Sequence, residues 1–203
     1  MKRRNLVGSM LATTALLPGS RLMAGSATPT PPRVLLASFS RAGENYYYGD
    51  RIDLEVGNTE VVAGMIDARL DVAIYRIEAQ EPYSDSYDET VARNVQEQDA
   101  DARPDIANPL NSIAPYDIIL VGSPIWNVRP PMIISTFLES LDLSGKTIYP
   151  FVTYAVSGLG RTLDVYEAAC PNAVIGSGLA IRGEEATQAQ PAVDDWLSQI
   201  GLL

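Results

Sequence analysis

Residues 33–60 read "RVLLASFSRAGENYYYGDRIDLEVGNTE", and the parsing of this stretch decides the fold. "RVLLASFS" (33–40) is a short, continuous apolar run, the pattern of a strand buried on both faces of a parallel sheet. "TEVVAGMIDARL" (59–70) places Val62, Met65, Ile66 and Leu70 at helical spacing. The loop between them comes in two pieces, "SRAG" and "GNTE", separated by a tyrosine-rich segment. A Ser-, Gly- and Asn-rich loop between a buried strand and a helix is where α/β proteins hold a phosphate.

Outward from this stretch, strands and helices alternate. "DVAIYRIE" (71–78) alternates like a strand near a sheet edge. "SYDETVARNVQEQDADA" (86–102) is a polar helix expected on the surface. "YDIILVGSPIW" (116–126) is the most apolar strand and belongs at the centre. "PPMIISTFLESL" (130–141) begins with proline, which suits a first helical turn. "KTIYPFVTYA" (146–155) is a strand with an internal proline, Pro150. "LGRTLDVYEAAC" (159–170) is a helix ended by Pro171. "AVIGSGLAIRG" (173–183) is a strand with two glycines, expected to be bent or bulged. "QPAVDDWLSQIGLL" (190–203) is a closing helix. Five βα units in order predict an α/β fold with a doubly wound, five-stranded parallel sheet.

Ligands of such sheets lie beyond the carboxyl ends of the strands, where strand order reverses. With the order 2-1-3-4-5, the loops after strands one, three and four are neighbours. In the first, Asn58 and Thr59 stand at the start of a helix, where side chains and free amides can surround an anion. Plain N-capping by the same residues is the alternative. Gly57 lets the backbone approach closely, and Ser40 adds a hydroxyl. In the second, Ser123–Asn127, Trp126 follows a buried strand and must cover something flat or lie exposed. The third, Thr153–Gly160, offers Tyr154 and the backbone amides of "SGLG".

The pieces "ASFSR", "GNTE", "YDIILVGSPIW", "FLESLDLSGKTIYPFVTY" and "SGLGR" resemble the flavodoxin-like family, in the branch with an "S-R-x-G-N-T-E" phosphate loop. The resemblance runs from about Val34 to Leu202. It implies non-covalently bound FMN. On this resemblance Ser40, Gly57, Asn58 and Thr59 hold the phosphate, with Arg41 close by. Pro124, Ile125, Trp126 and Asn127 flank the isoalloxazine, and Thr153, Tyr154, Ser157, Gly158 and Gly160 bond its pyrimidine end. No residue is singled out as catalytic. This chain departs from the family at one place: deleting residues 44–57 would join "SRAG" to "NTE". The segment "ENYYYGDRIDLEVG" therefore reads as a hairpin or flap inserted after strand one. Tyr46, Tyr47 and Tyr48 either lie over the cofactor or pack on the sheet edge.

Composition narrows the chemistry. The 203 residues contain no His and one Cys, Cys170. His-based triads, His general bases, intramolecular disulfides and Cys-rich zinc sites are excluded, and no metal is expected. Such a chain relies on a bound cofactor for redox chemistry.

The N-terminal "MKRRNLVGSMLATTALLPGSRLMAGSA" begins basic, turns apolar and ends in small residues, a signal-peptide pattern over residues 1–27. The adjoining Arg3 and Arg4 resemble a twin-arginine signal, although Lys2 stands where Ser or Thr is usual. An ordinary Sec signal or a lipid-free membrane anchor is the alternative, and cleavage falls after Ala24 or Ala27. Residues 28–32, "TPTPP", form a stiff linker before a domain over 33–203. Loss of residues 1–27 removes four of the 15 Lys+Arg and none of the 25 Asp+Glu, which leaves 11 against 25, net −14. Such a surface disfavours nucleic acid and anionic membranes.

The expected function is electron transfer by an exported FMN protein in the periplasm, with a redox protein or a quinone as partner. The alternatives are an FMN-dependent NAD(P)H or quinone-type reductase and a non-redox binding module. Between carrier and reductase, the sequence contains no dinucleotide fingerprint after the first strand.

Overall fold

The computed structural model describes residues 31–203. The signal segment expected over 1–27, and residues 28–30 of the linker, lie outside the described residues.

The described chain begins with β1 (Val34–Ser38), followed by the strands β2 (Gly43–Tyr47) and β3 (Asp50–Leu54). Next come α1 (Asn58–Asp67), β4 (Ala73–Arg76), α2 (Tyr87–Asp99) and β5 (Ile118–Pro124). Then follow α3 (Met132–Glu139), β6 (Thr147–Tyr154) and α4 (Thr162–Ala169). The chain closes with β7 (Val174–Ile175), β8 (Leu179–Arg182), a 3-10 turn (Gly183–Gln188) and α5 (Gln190–Gln199).

The main sheet is parallel, in the order β4-β1-β5-β6, with β7 and β8 both paired to β6 along its outer edge. It has six strands rather than the five expected. The segment 173–183 pairs in two pieces: β7 on Thr147–Ile148 and β8 on Phe151–Tyr154. Pro150 explains the gap. Gly176 N donates to Ile148 O at 2.8 Å, so Ile148 faces the outer edge. Two residues on, Pro150 faces the same way and has no N–H to offer. Pairing stops there and resumes one turn of pleat later.

Successive residues of a strand point to opposite faces. Leu35 and Ala37 accordingly pack under α3 and α4 with Ile133, Phe137, Leu138 and Tyr166. Leu36 and Leu120 pack under α1 and α5 with Val62, Ile66, Val193 and Leu197. Two layers of helix thus cover both faces, which is why β1 and β5 are apolar without alternation. β2 and β3 stay outside this sheet as a two-stranded antiparallel ribbon, paired from Gly43↔Leu54 to Tyr47↔Asp50. No helix among the described residues is long and apolar enough to cross a membrane.

Candidate functional site

The two halves of the first loop meet. Gly57 is the N-cap of α1, in extended backbone, and makes no side-chain cap. A Cβ at Gly57 would overlap Ser40 Oγ and the carbonyl of Arg41. Only glycine lets the two halves of the loop touch. Ser40 Oγ then supplies what the N-cap lacks by accepting the Glu60 N–H at 3.1 Å. The amides of Asn58 and Thr59 have no partner among the described residues. They point out of the positive end of the helix, as an anion site requires. Since Ser40 Oγ is an acceptor towards Glu60, its own O–H remains free to donate.

This helix start is tied to the other loops. Thr59 Oγ1 lies 2.7 Å from Thr153 Oγ1 in a buried hydrogen bond. Thr153 O accepts the Ile125 N–H at 2.8 Å, which joins the end of β6 to the second loop. The Arg161 N–H donates to Val128 O at 2.8 Å, which joins the third loop to the turn after Trp126. That turn is tight: Trp126 and Arg129 exchange both backbone bonds, and Asn127 and Val128 adopt φ of 50° and 63°.

The three loops open into one cavity of about 390 Å³. Ser40, Asn58 and Thr59 line one part; Pro124, Ile125, Trp126 and Asn127 line another; Thr153 and Tyr154 close the third side. Arg41 also borders the cavity, but its guanidinium is spent elsewhere. It donates to the carbonyls of Ser84, Asp85 and Glu44, and burial lowers its pKa. An anion at the first loop would therefore be held by neutral amides and hydroxyls.

Several expected site residues stand differently. Gly57 serves the closure of the loop rather than the cavity wall. Ser157, Gly158 and Gly160 do not line the cavity. Gly160, at φ 52°, sits against Val128, where a Cβ would overlap the carbonyl oxygen. Its glycine is required by the contact between loops. Trp126 neither lies free nor stands alone as a flat cover. It packs edge-on against Tyr83 and Phe39 at centroid distances of 5.0 and 5.6 Å while bordering the cavity. Asn127 is held by Gln98 Oε1 at 3.0 Å.

Sequence reasoning missed a whole wall. α2 was expected on the surface, yet Thr90 and Asn94 are buried and line the cavity beside Tyr87, Val91 and Val95. The spacing Tyr87, Thr90/Val91, Asn94/Val95 is helical and could have been found by looking for a polar rather than an apolar stripe. Asn45 and Tyr46 of β2 also line the cavity, whereas Tyr47 and Tyr48 are exposed and pack on each other. The hairpin is fastened at both ends. Tyr48 N donates to Glu184 Oε1 at 3.0 Å. Arg51 pairs with Asp88 at 2.6 Å and lies over the Tyr87 ring, and Glu44 Oε2 accepts the Tyr87 N–H. Among the described residues no group of His, Cys, Asp and Glu is placed to hold a metal ion.

A family model described as Flavodoxin matches residues 54–200. A flavoprotein structure from Bacteroides eggerthii is 26% identical, with a TM-score of 0.68, and covers 85% of this chain and 99% of its own. One from Bacteroides uniformis is 27% identical, with a TM-score of 0.65, and covers 82% and 98%. A flavoprotein from Lactobacillus acidophilus in complex with FMN shares the fold at 16% identity, with a TM-score of 0.58, over 81% and 98%. No curated protein matches the chain.

Proposed function

Because the chain belongs to the flavodoxin family, we propose that it binds FMN non-covalently in this cavity and transfers electrons. The observation that carries the reading is the convergence of three strand-end loops on the free amides of α1, all bordering one cavity. Bound FMN would supply the redox chemistry by gaining and losing electrons.

The protein's part is binding and orientation. The Asn58 and Thr59 amides and the Ser40 hydroxyl would hold the phosphate. The Thr59–Thr153 bond fixes the distance between that site and the third loop. Pro124, Ile125 and Trp126 would flank the ring system on one side, with Tyr154 near its other end. Val91 and Val95 of α2 add apolar surface to the same cavity. The FMN-bound relative from Lactobacillus acidophilus supports the choice of ligand.

Export through a twin-arginine-type signal fits this reading, because that route carries folded proteins with cofactors already loaded. A periplasmic carrier of net charge −14 without residues 1–27 suits a basic redox protein, or a membrane quinone, as its exchange partner. The direct test is the visible spectrum of the purified protein, before and after FMN is added. A yellow protein that releases FMN on denaturation is expected. A colourless protein that takes up none would end the proposal.

A further inference from the structure

Behind the second loop, three aromatic rings form a triangle. Trp126 borders the cavity and meets Tyr83 at 5.0 Å between centroids, with an interplanar angle of 76°. Phe39 completes the triangle at 5.4 Å from Tyr83 and 5.6 Å from Trp126. The Tyr83 hydroxyl donates to Glu97 Oε2 at 2.8 Å, within the buried region. Glu97 Oε1 accepts from Arg93 Nε at 2.7 Å, and the Arg93 guanidinium lies 3.9 Å over the Tyr83 ring. Arg93 also donates to the carbonyls of Glu81 and Pro82.

Packing accounts for the rings, and the ion pair with Arg93 holds Glu97, only 8% exposed, as a carboxylate in contact with the Tyr83 hydroxyl. Burial and the bond to Glu97 both keep the proton on Tyr83 in its resting state. Within this triangle the easily oxidised rings are Trp126, at the cavity, and Tyr83, behind it with a proton acceptor already in hydrogen-bond contact.

We propose that Trp126 and Tyr83 form a two-step electron relay leading out of the cavity, with Glu97 as its proton acceptor. The proposal rests on the FMN reading. Trp126 loses one electron to a photoexcited flavin held in the cavity. Tyr83 then returns one electron to Trp126, and the phenolic proton crosses to the Glu97 carboxylate. The products on the protein are a neutral tyrosyl radical and a carboxylic acid. One electron and one proton have left Tyr83, the electron to the flavin and the proton to Glu97. A phenol that has lost an electron is a strong acid, so a carboxylate in contact makes Tyr83 the deeper trap. The Arg93 cation on the ring opposes a charged radical, which couples electron loss to proton loss. The relay draws oxidising equivalents away from the cavity, and the reverse transfer restores both residues.

Blue light absorbed only by flavin tests this on the purified full-length protein, followed by transient absorption and electron paramagnetic resonance. The expected result is a tryptophan radical that decays into a tyrosyl radical, more slowly in D2O. Tyr83→Phe should lose the tyrosyl signal and leave a longer-lived tryptophan radical. Glu97→Gln should slow tyrosyl formation severalfold. A tyrosyl signal of undiminished yield in Tyr83→Phe, or no tyrosyl radical in the flavin-loaded protein, overturns the relay while leaving FMN binding intact. Should Tyr83→Phe fail to fold, the absence of a D2O effect in the unaltered protein overturns it. A protein without flavin absorption overturns both proposals.

Discussion

Thr59 Oγ1 and Thr153 Oγ1 lie 2.7 Å apart, although 94 residues separate them in the chain. This bond joins the first turn of α1 to the last residues of β6, across β1 and β5. Both side chains are buried, at 1% and 4% exposure. Thr153→Val keeps the shape and leaves the Thr59 hydroxyl unpaired in the interior. A stability loss of roughly 1–3 kcal/mol is expected, read from urea denaturation.

Ser40 acts across the hairpin, as cap for an amide twenty residues on. Ser40→Ala removes that cap and one candidate phosphate donor together. The cap alone is worth about 0.5–2 kcal/mol, visible in denaturation without ligand. FMN affinity should fall by at least about tenfold, since a hydrogen bond to a charged group contributes roughly 1.5–3 kcal/mol. Calorimetric titration separates the two effects.

Much of the fold is legible in the chain. β1 and β5 are unbroken apolar runs because helices cover both faces of the sheet, and this rule needs no knowledge of neighbours. The break between β7 and β8 is different. It follows from which way the missing N–H of Pro150 points, and that direction depends on pleat register. α2 escapes the apolar pattern because Thr90 and Asn94 bury against a cavity, whereas apolar periodicity only finds helices that bury against a core. Trp126 could be placed beside the cavity from its position after β5. Its edge-on packing on Tyr83 and Phe39 could not, since those rings arrive from other loops.

Gly160 and Gly145 make a matched pair. Both adopt positive φ, 52° and 71°, but a Cβ at Gly145 meets nothing within 4 Å, whereas one at Gly160 overlaps Val128 O. Gly145→Ala should cost only the left-handed penalty, about 1–2 kcal/mol. Gly160→Ala should cost more and also weaken FMN binding, because it parts the second and third loops. Thermal denaturation and flavin titration of the two variants check this.

Cys170 is 5% exposed, and burial pushes its thiol up to about 11. The folded protein should resist alkylation at pH 8 and react once denatured. The sign of the linkage follows. A thiol with a higher pKa folded than unfolded contributes stability that is complete below the unfolded value, about 8.5. That contribution is lost as pH rises towards 11. Denaturation midpoints of the protein and of Cys170→Ala should therefore converge across this alkaline window.

The most direct measurement compares FMN with riboflavin in equilibrium titrations followed by flavin fluorescence. Riboflavin has the same ring and ribityl chain but no phosphate. The free amides of Asn58 and Thr59 and the Ser40 hydroxyl predict quenched, tight FMN binding, with riboflavin weaker by at least about tenfold on the strength of charge-assisted hydrogen bonds. Equal affinity for the two, or no quenching by either, would contradict a phosphate at the start of α1 and a flavin ring beside Trp126.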